Sequence, residues 1–81
     1  MDAYLEEELY DLLTACIKEP QNAGTKKERV SEIGRQLHAD GGVDAMENMF
    51  FAIEHRIKDE KGADARQYRA WWNGIDAGWI Y

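Results

Sequence analysis

Two histidines and one cysteine are the residues of this sequence best suited to nucleophilic, acid–base or metal chemistry. Neither His38 nor His55 has a second histidine or a cysteine at ligand spacing, and neither follows a glutamate in a Glu-x-x-His arrangement. Cys16 falls among apolar residues, where a free cysteine behaves as a small hydrophobic side chain. The spacing therefore predicts no catalytic set, no metal site and no cofactor, and both histidines are expected to be solvated.

A glycine pair offers a second type of site, an anion held by backbone amides at the start of a helix. Asp40-Gly41-Gly42 precedes such a start, but it lacks the full glycine-rich phosphate motif and no strand comes before it. Asp40 and Asp44 would also repel a phosphate group. The pattern therefore favours a tight turn between two helices.

Aromatic residues crowd the end of the chain. Most of them repeat at spacings of three and four, which is typical of one helix face and in the first place of a core. Three tryptophans nevertheless exceed what so small a core comfortably encloses, and Phe51 is expected to project from the polar side of the preceding helix. We therefore expect an interaction surface that includes Phe51, Tyr68, Trp71, Trp72 and Trp79.

Acidic residues are concentrated at the start of the sequence. Residues 1–20 contain six acids and one lysine, a balance of -5 within a net charge of -6. Glu6, Glu7 and Glu8 could mark a surface for a basic partner or a mimic of nucleic-acid charge, although adjacent acids on a helix point in different directions. Direct nucleic-acid binding is not expected, because affinity for phosphates comes from clustered lysine and arginine.

The length of 81 residues limits the chain to a single domain, residues 1–81, with a core of marginal size. A single cysteine excludes an intramolecular disulfide and favours a reducing compartment. No stretch approaches the roughly 20 apolar residues of a membrane helix, and the first residues are acidic where a secretory signal would be basic. We therefore expect a cytoplasmic protein that does not enter the membrane.

Helix is the only secondary structure whose period fits the apolar residues. The four predicted helices run from about Asp2 to Lys18, from Thr25 to Asp40, from Val43 to about Lys58, and from Asp64 onward. Pro20 ends the first helix, and Thr25 with Glu28 is a predicted capping box for the second. Gly34 would let another helix approach closely. The expected fold is a compact all-α four-helix domain with short loops and roughly antiparallel neighbours.

A set of motifs in the last two thirds of the chain suggests a family resemblance. The residues that carry it are Ile33-Gly34-Arg35-Gln36-Leu37, Gly41-Gly42, Met46, Trp72-Asn73-Gly74-Ile75 and Trp79. In these positions the chain resembles short uncharacterised bacterial helical proteins with an Ile/Leu-Gly-x-x-Leu helix, a Gly-Gly turn and a terminal Trp-x-Gly-Ile segment. The resemblance implies a small helical fold and no assigned activity.

Three functional hypotheses follow from these features. The leading one is a small non-enzymatic interaction or regulatory protein that binds another protein or itself, most simply as a two-fold dimer. The second is a ligand-binding or enzymatic domain with an aromatic pocket lined by Tyr68, Trp71 and Trp72, and with Arg66 or Arg69 as its polar anchor. The third is an acidic inhibitor that mimics nucleic acid.

Overall fold

The computed structural model describes residues 3–81, so the predicted helix start at Asp2 lies outside the described residues. The chain forms α1 (Ala3–Lys18), a first 3-10 segment (Pro20–Lys26), α2 (Lys27–Lys61) and a second 3-10 segment (Arg66–Trp72). Apart from one isolated bridge between Asn73 and Asp76, the described residues contain no β-structure. The predicted all-α class is confirmed.

Helix α2 folds back on itself at Gly42. A straight helix of its length would extend for about 52 Å, whereas the longest dimension of the molecule is 29 Å. Gly42 has φ 72° and ψ -162°, a backbone conformation that only glycine adopts readily. The turn predicted from the glycine pair therefore lies where expected, and it divides α2 into a first half (residues 27–41) and a second half (residues 43–61).

The predicted four-helix arrangement is not confirmed. Divided at Gly42, the described chain contains three lengths of α-helix, and the predicted fourth helix is instead a 3-10 segment followed by turns. An α-helix would hold Trp72 and Trp79 about 10 Å apart along its axis. The turns between them, with Gly74 at φ 93°, bring the two buried rings to a centroid distance of 5.3 Å. Tertiary packing of the indoles therefore overrides helical propensity here.

The predicted capping box at the start of α2 is wrong. The hydroxyl of Thr25 donates to the carbonyl of Asn22 at 2.7 Å, and the first residue of α2 has no side-chain cap. The first 3-10 segment ends at Lys26 and α2 begins at the next residue, so no loop separates them and no side chain caps the helix.

A single core lies between α1, both halves of α2 and the C-terminal segment, which we define as residues 66–81. The second half of α2 buries Met46, Phe50, Ile53 and Ile57 completely, and these residues recur at the spacing of three and four from which a helix was predicted here. The other large buried side chains come from every element but the first 3-10 segment: Leu9, Leu13, Val30, Ile33, Met49, Trp72 and Trp79.

The Trp72 indole fixes the C-terminal segment on the first half of α2. Its Nε1–H donates to the Val30 carbonyl at 2.8 Å, so a buried donor is satisfied by a helix backbone. A methyl group at Gly34 would lie 2.6 Å from that same nitrogen. The close approach expected at Gly34 therefore occurs, and its partner is an indole ring rather than a helix.

Gly34→Ala should destabilise the fold by about 2 kcal/mol, because a fully buried ring has no room to withdraw from the new methyl group. Urea unfolding followed by tryptophan fluorescence measures this change. Gly24→Ala is the matched control, since a methyl group there meets nothing within 4 Å and the backbone is not left-handed. Its stability should stay within about 0.5 kcal/mol of the parent. Equal stabilities of the two variants would contradict the packing role of Gly34.

Candidate functional site beside Trp71

Arg69 holds the C-terminal segment against the second half of α2. Its side chain is only 6% exposed, yet its Nε donates to Glu54 at 2.8 Å and its Nη1 donates to both carboxylate oxygens of Glu47 at 3.0 Å. Burial alone would lower the pKa of Arg69, but the hydrogen bonds to Glu47 and Glu54 raise it above its ordinary value. The guanidinium therefore remains charged and paired.

Three aromatic rings enclose this guanidinium. The rings of Phe50, Trp79 and Tyr81 lie with their centroids 5.0, 5.5 and 5.1 Å from its central carbon. The indole Nε1–H of Trp79 also donates to the Arg69 carbonyl at 2.7 Å. Of the two predicted pocket anchors, Arg69 is thus turned inward as a structural ion pair, while Arg66 is exposed beside a small hollow at the end of α2.

The five residues of the predicted interaction surface are divided between core and surface. Tyr68, Trp72 and Trp79 are buried, Trp71 is half-buried, and Phe51 is 54% exposed. The sequence identified the aromatic stripe, but the turns after the second 3-10 segment decide which rings point inward. Only Phe51 and Trp71 remain accessible to another molecule.

A cleft of about 530 Å³ opens beside Trp71, between the first half of α2 and the C-terminal segment. One wall comes from positions i, i+4 and i+7 of α2, which lie on one helix face. The residues that line the cleft are Ser31, Arg35, His38, Trp71, Asn73, Gly74 and Ile75. Sequence reasoning identified Trp71 but missed Ser31, Arg35 and His38 of α2 as the opposite wall. The sequence signal for these three residues was a polar helix face at a spacing of three and four.

His38 joins the two walls of the cleft. Its Nε2 lies 2.8 Å from Oδ1 of Asp76, whose Oδ2 accepts the Gly78 amide at 2.8 Å. The Gly78 amide and the His38 ring together lower the pKa of the Asp76 carboxyl group. His38 lies in the last turn of the first half of α2, as expected, but it is half-buried and bound to a carboxylate thirty-eight residues away rather than solvated.

A histidine held by a carboxylate can act as a base when a nucleophile lies within hydrogen-bond reach. The nearest hydroxyl in the cleft is that of Ser31, two helical turns or about 10 Å from His38 along α2. That hydroxyl donates to the Trp71 carbonyl at 3.3 Å. The Ser31 hydroxyl and the His38 ring are therefore too far apart in this structure to act together as a nucleophile and its base.

Arg35 is the cation of the cleft that is not committed to a tight ion pair. Its side chain is 53% exposed, and the carboxylate it meets, that of Glu28, lies 3.7 Å away and is itself 84% exposed. The adjacent Trp71 ring is backed by Tyr68 at a centroid distance of 4.8 Å, which limits its movement. A loosely paired guanidinium thus lies beside a supported aromatic face.

The other candidates from the sequence lie elsewhere. Cys16 is buried, and burial raises the pKa of its thiol, so its side chain is a core residue. His55 is exposed and its ring packs on Phe51 at a centroid distance of 4.3 Å. No group of three potential metal ligands occurs in residues 3–81. Within the same residues, every helix is too short or too polar to cross a membrane.

The glycine turn borders a second cleft, of about 480 Å³, between α1 and the bend of α2. Asp40 is the one charged residue on its lining, which otherwise consists of Leu5, Gln36, Leu37, Ala39, Ala45 and Asn48. A carboxylate without a neighbouring cation repels anions, so this cleft offers no support for an anion site at the turn.

Three acids of α1, Glu6, Glu7 and Glu8, lie against arginines of α2. Arg29 makes a two-point contact with Glu8 at 2.5 and 2.7 Å. Arg56 donates to Glu7 at 2.8 Å and lies 3.9 Å from Glu6. Sequence reasoning missed these pairs because the partners are 21 to 50 residues apart, and no local pattern connects them.

Three carboxyl groups in residues 3–81 have pKa values below their ordinary range: Glu8 through its hydrogen bond from Arg29, Glu60 through Tyr10 and Arg56, and Asp76 as described above. Such groups bind fewer protons in the folded than in the unfolded state. Their contribution to stability is complete above the ordinary pKa of 4.5 or 3.8 and is lost as pH falls through the lower folded value.

The thermal midpoint should therefore be nearly constant from about pH 7 to pH 5 and should fall steeply below about pH 4.5. We call the fall of the midpoint below about pH 4.5 the acid limb. Arg29→Gln removes the hydrogen bond that lowers the pKa of Glu8, so it should make the acid limb less steep and lower the midpoint at pH 7. Thermal melts followed by circular dichroism across this range measure both effects. Lys27→Gln removes an equal charge at an exposed position and should keep the full acid limb. Parallel profiles for the two variants would contradict the role of the Arg29–Glu8 pair.

Comparison with known protein families, with curated proteins and with solved structures gives no match to this chain. The resemblance to short bacterial helical proteins therefore stays a prediction, and the function must be argued from the geometry of the described residues.

Proposed function

We propose that this chain is a small non-enzymatic protein–protein interaction protein that binds a second copy of itself. The observation that carries the proposal is the exposure of Phe51, a large aromatic ring that is 54% accessible on the second half of α2. The opposite face of this helix half is fully buried, so the ring projects from a fixed support. Aromatic side chains of this kind are enriched at the centres of protein interfaces.

Two further rings extend this accessible aromatic area, which we call the Phe51 surface and define as Phe51, His55 and Tyr81. His55 packs directly on Phe51. Tyr81 is 51% exposed, and its hydroxyl donates to Glu47, one helical turn before Phe51, at 3.5 Å. The surface therefore combines apolar ring faces with a polar edge, which suits a contact that can both form and dissociate.

Self-association is the simplest use of such a surface. A two-fold dimer places the same patch against itself, so one modest aromatic area generates the whole interface. Burial of about 400 Å² per subunit would supply roughly 10 kcal/mol before association costs, beside the few kcal/mol that a core of this size supplies.

The ion pairs of α1 favour self-association over a mimic of nucleic acid, because Glu6, Glu7 and Glu8 already face arginines.

A cytoplasmic location and a bacterial origin belong to the same proposal. The buried thiol of Cys16, the single cysteine, supports a reducing compartment. The bacterial origin is supported only by the resemblance of the glycine and tryptophan motifs described above.

Sedimentation equilibrium at micromolar concentrations should give a mass that rises from 9.4 kDa toward twice that value. Phe51→Asp places a charge at the proposed contact and should return the protein to the monomer mass. Gln21→Asp adds the same charge at an exposed position of the first 3-10 segment, outside the Phe51 surface, and should leave the dimer intact. A parent mass that stays at 9.4 kDa at all concentrations would remove the dimer.

The cleft beside Trp71 favours a second function, the binding of a small ligand. A volume of about 530 Å³ lies within the range of pockets for small molecules. Its position differs from the predicted pocket, because Tyr68 and Trp72 are buried and Trp71 is the one residue of the three that lines the cleft. Arg35 takes the anchoring position that was expected for Arg66 or Arg69.

The indole N–H signals of the three tryptophans can test this second function by nuclear magnetic resonance. Those of Trp72 and Trp79 donate to buried backbone carbonyls and should not respond to ligands in the cleft. A panel of small planar molecules at millimolar concentration should include members that shift the Trp71 signal alone. If no member of the panel shifts it, the cleft is not a ligand site.

A further inference from the structure

We propose that the cleft beside Trp71 recognises a ligand in which a carboxylate is joined to a planar apolar group. This inference rests on the second function proposed above and names its ligand class. The carboxylate would bind the guanidinium of Arg35, and the planar group would pack on Trp71 and Ile75. Both assignments depend on which groups of the cleft already form hydrogen bonds or ion pairs within the protein.

Most polar groups of the cleft have internal partners. The side-chain amide of Asn73 donates to the Tyr81 carbonyl at 3.0 Å and accepts the Tyr81 amide at 3.1 Å. The ring of His38 is already bound to the carboxylate of Asp76. Arg35 is therefore the group that can supply an uncompensated positive charge to a ligand.

The chemistry of Arg35 selects a carboxylate with one negative charge. A guanidinium presents parallel N–H donors that match the two oxygens of a carboxylate. Its contact with Glu28 is long and exposed, so a ligand that binds in the partly enclosed cleft can displace it. The net charge of -6 opposes ligands with several negative charges, which one arginine would not offset.

The opposite wall selects the second part of the ligand. Trp71 lines the cleft and is half-buried, and its ring packs against Tyr68 in a tilted contact. Ile75 adds an apolar side chain to the same wall. A planar ring can stack on such an indole, and it gains most when the carboxylate already fixes its position.

Phenylacetate and phenylacetamide form a matched pair of probes, since they share the ring and differ in the charge. In titrations of the full chain followed through the indole signals, phenylacetate should shift the Trp71 signal with an affinity about tenfold higher than that of phenylacetamide. Arg35→Gln should abolish this preference. Arg66→Gln removes an exposed arginine outside the cleft and should retain it. Unchanged Trp72 and Trp79 signals would show that each variant is folded.

The tripeptide Gly-Gly-Phe with a free carboxyl terminus, and the same peptide as an amide, distinguish the two sources of this chemistry. Tighter binding of the free-acid peptide than of phenylacetate would assign the cleft to chain termini, and weaker binding would assign it to free aromatic acids. Equal affinity for phenylacetate and phenylacetamide would overturn the carboxylate inference while leaving a ligand site in place. The absence of any shift at Trp71 would overturn both.

Discussion

The insertion of the Trp72 indole between Gly34 and the Val30 carbonyl is the contact on which the rest of this structure depends. The ring needs a helix face without a side chain, and it needs an acceptor for its buried N–H; residues 30 and 34 of α2 supply both. Phe50 meets the same ring edge-on at a centroid distance of 5.2 Å. One side chain thus ties the two halves of α2 and the C-terminal segment together.

Arg69 completes this attachment by a different kind of interaction. A buried guanidinium is costly unless its donors are paired, and here Glu47 and Glu54 provide the partners while aromatic rings surround it. The pairing fixes the rotation of the second 3-10 segment on the second half of α2. Since Trp72 and Arg69 face different halves of the bent helix, the C-terminal segment also holds the bend at Gly42 closed.

The two candidate functional regions arise directly from this attachment. Because the segment lies across both halves of α2, it leaves a cleft on the side of Arg35 and His38 and brings the Tyr81 hydroxyl to Glu47, one helical turn before Phe51, on the other. Each region therefore combines one wall from α2 with one from residues 66–81. A change that loosened the segment would alter both regions at once, so the function of either depends on the same core contacts.

The sequence alone determined the helical class, the bend at the glycine pair and the buried stripe of the second half of α2, because these follow from periods and glycine positions within a few residues. It also located the aromatic residues from which the candidate surfaces are built. The conformation of residues 66–81, the pairing of His38 with Asp76 and the placement of Arg69, Arg29 and Arg56 against their carboxylates were decided by tertiary structure. Their partners are 15 to 49 residues apart, and only the folded chain brings such groups within hydrogen-bond distance.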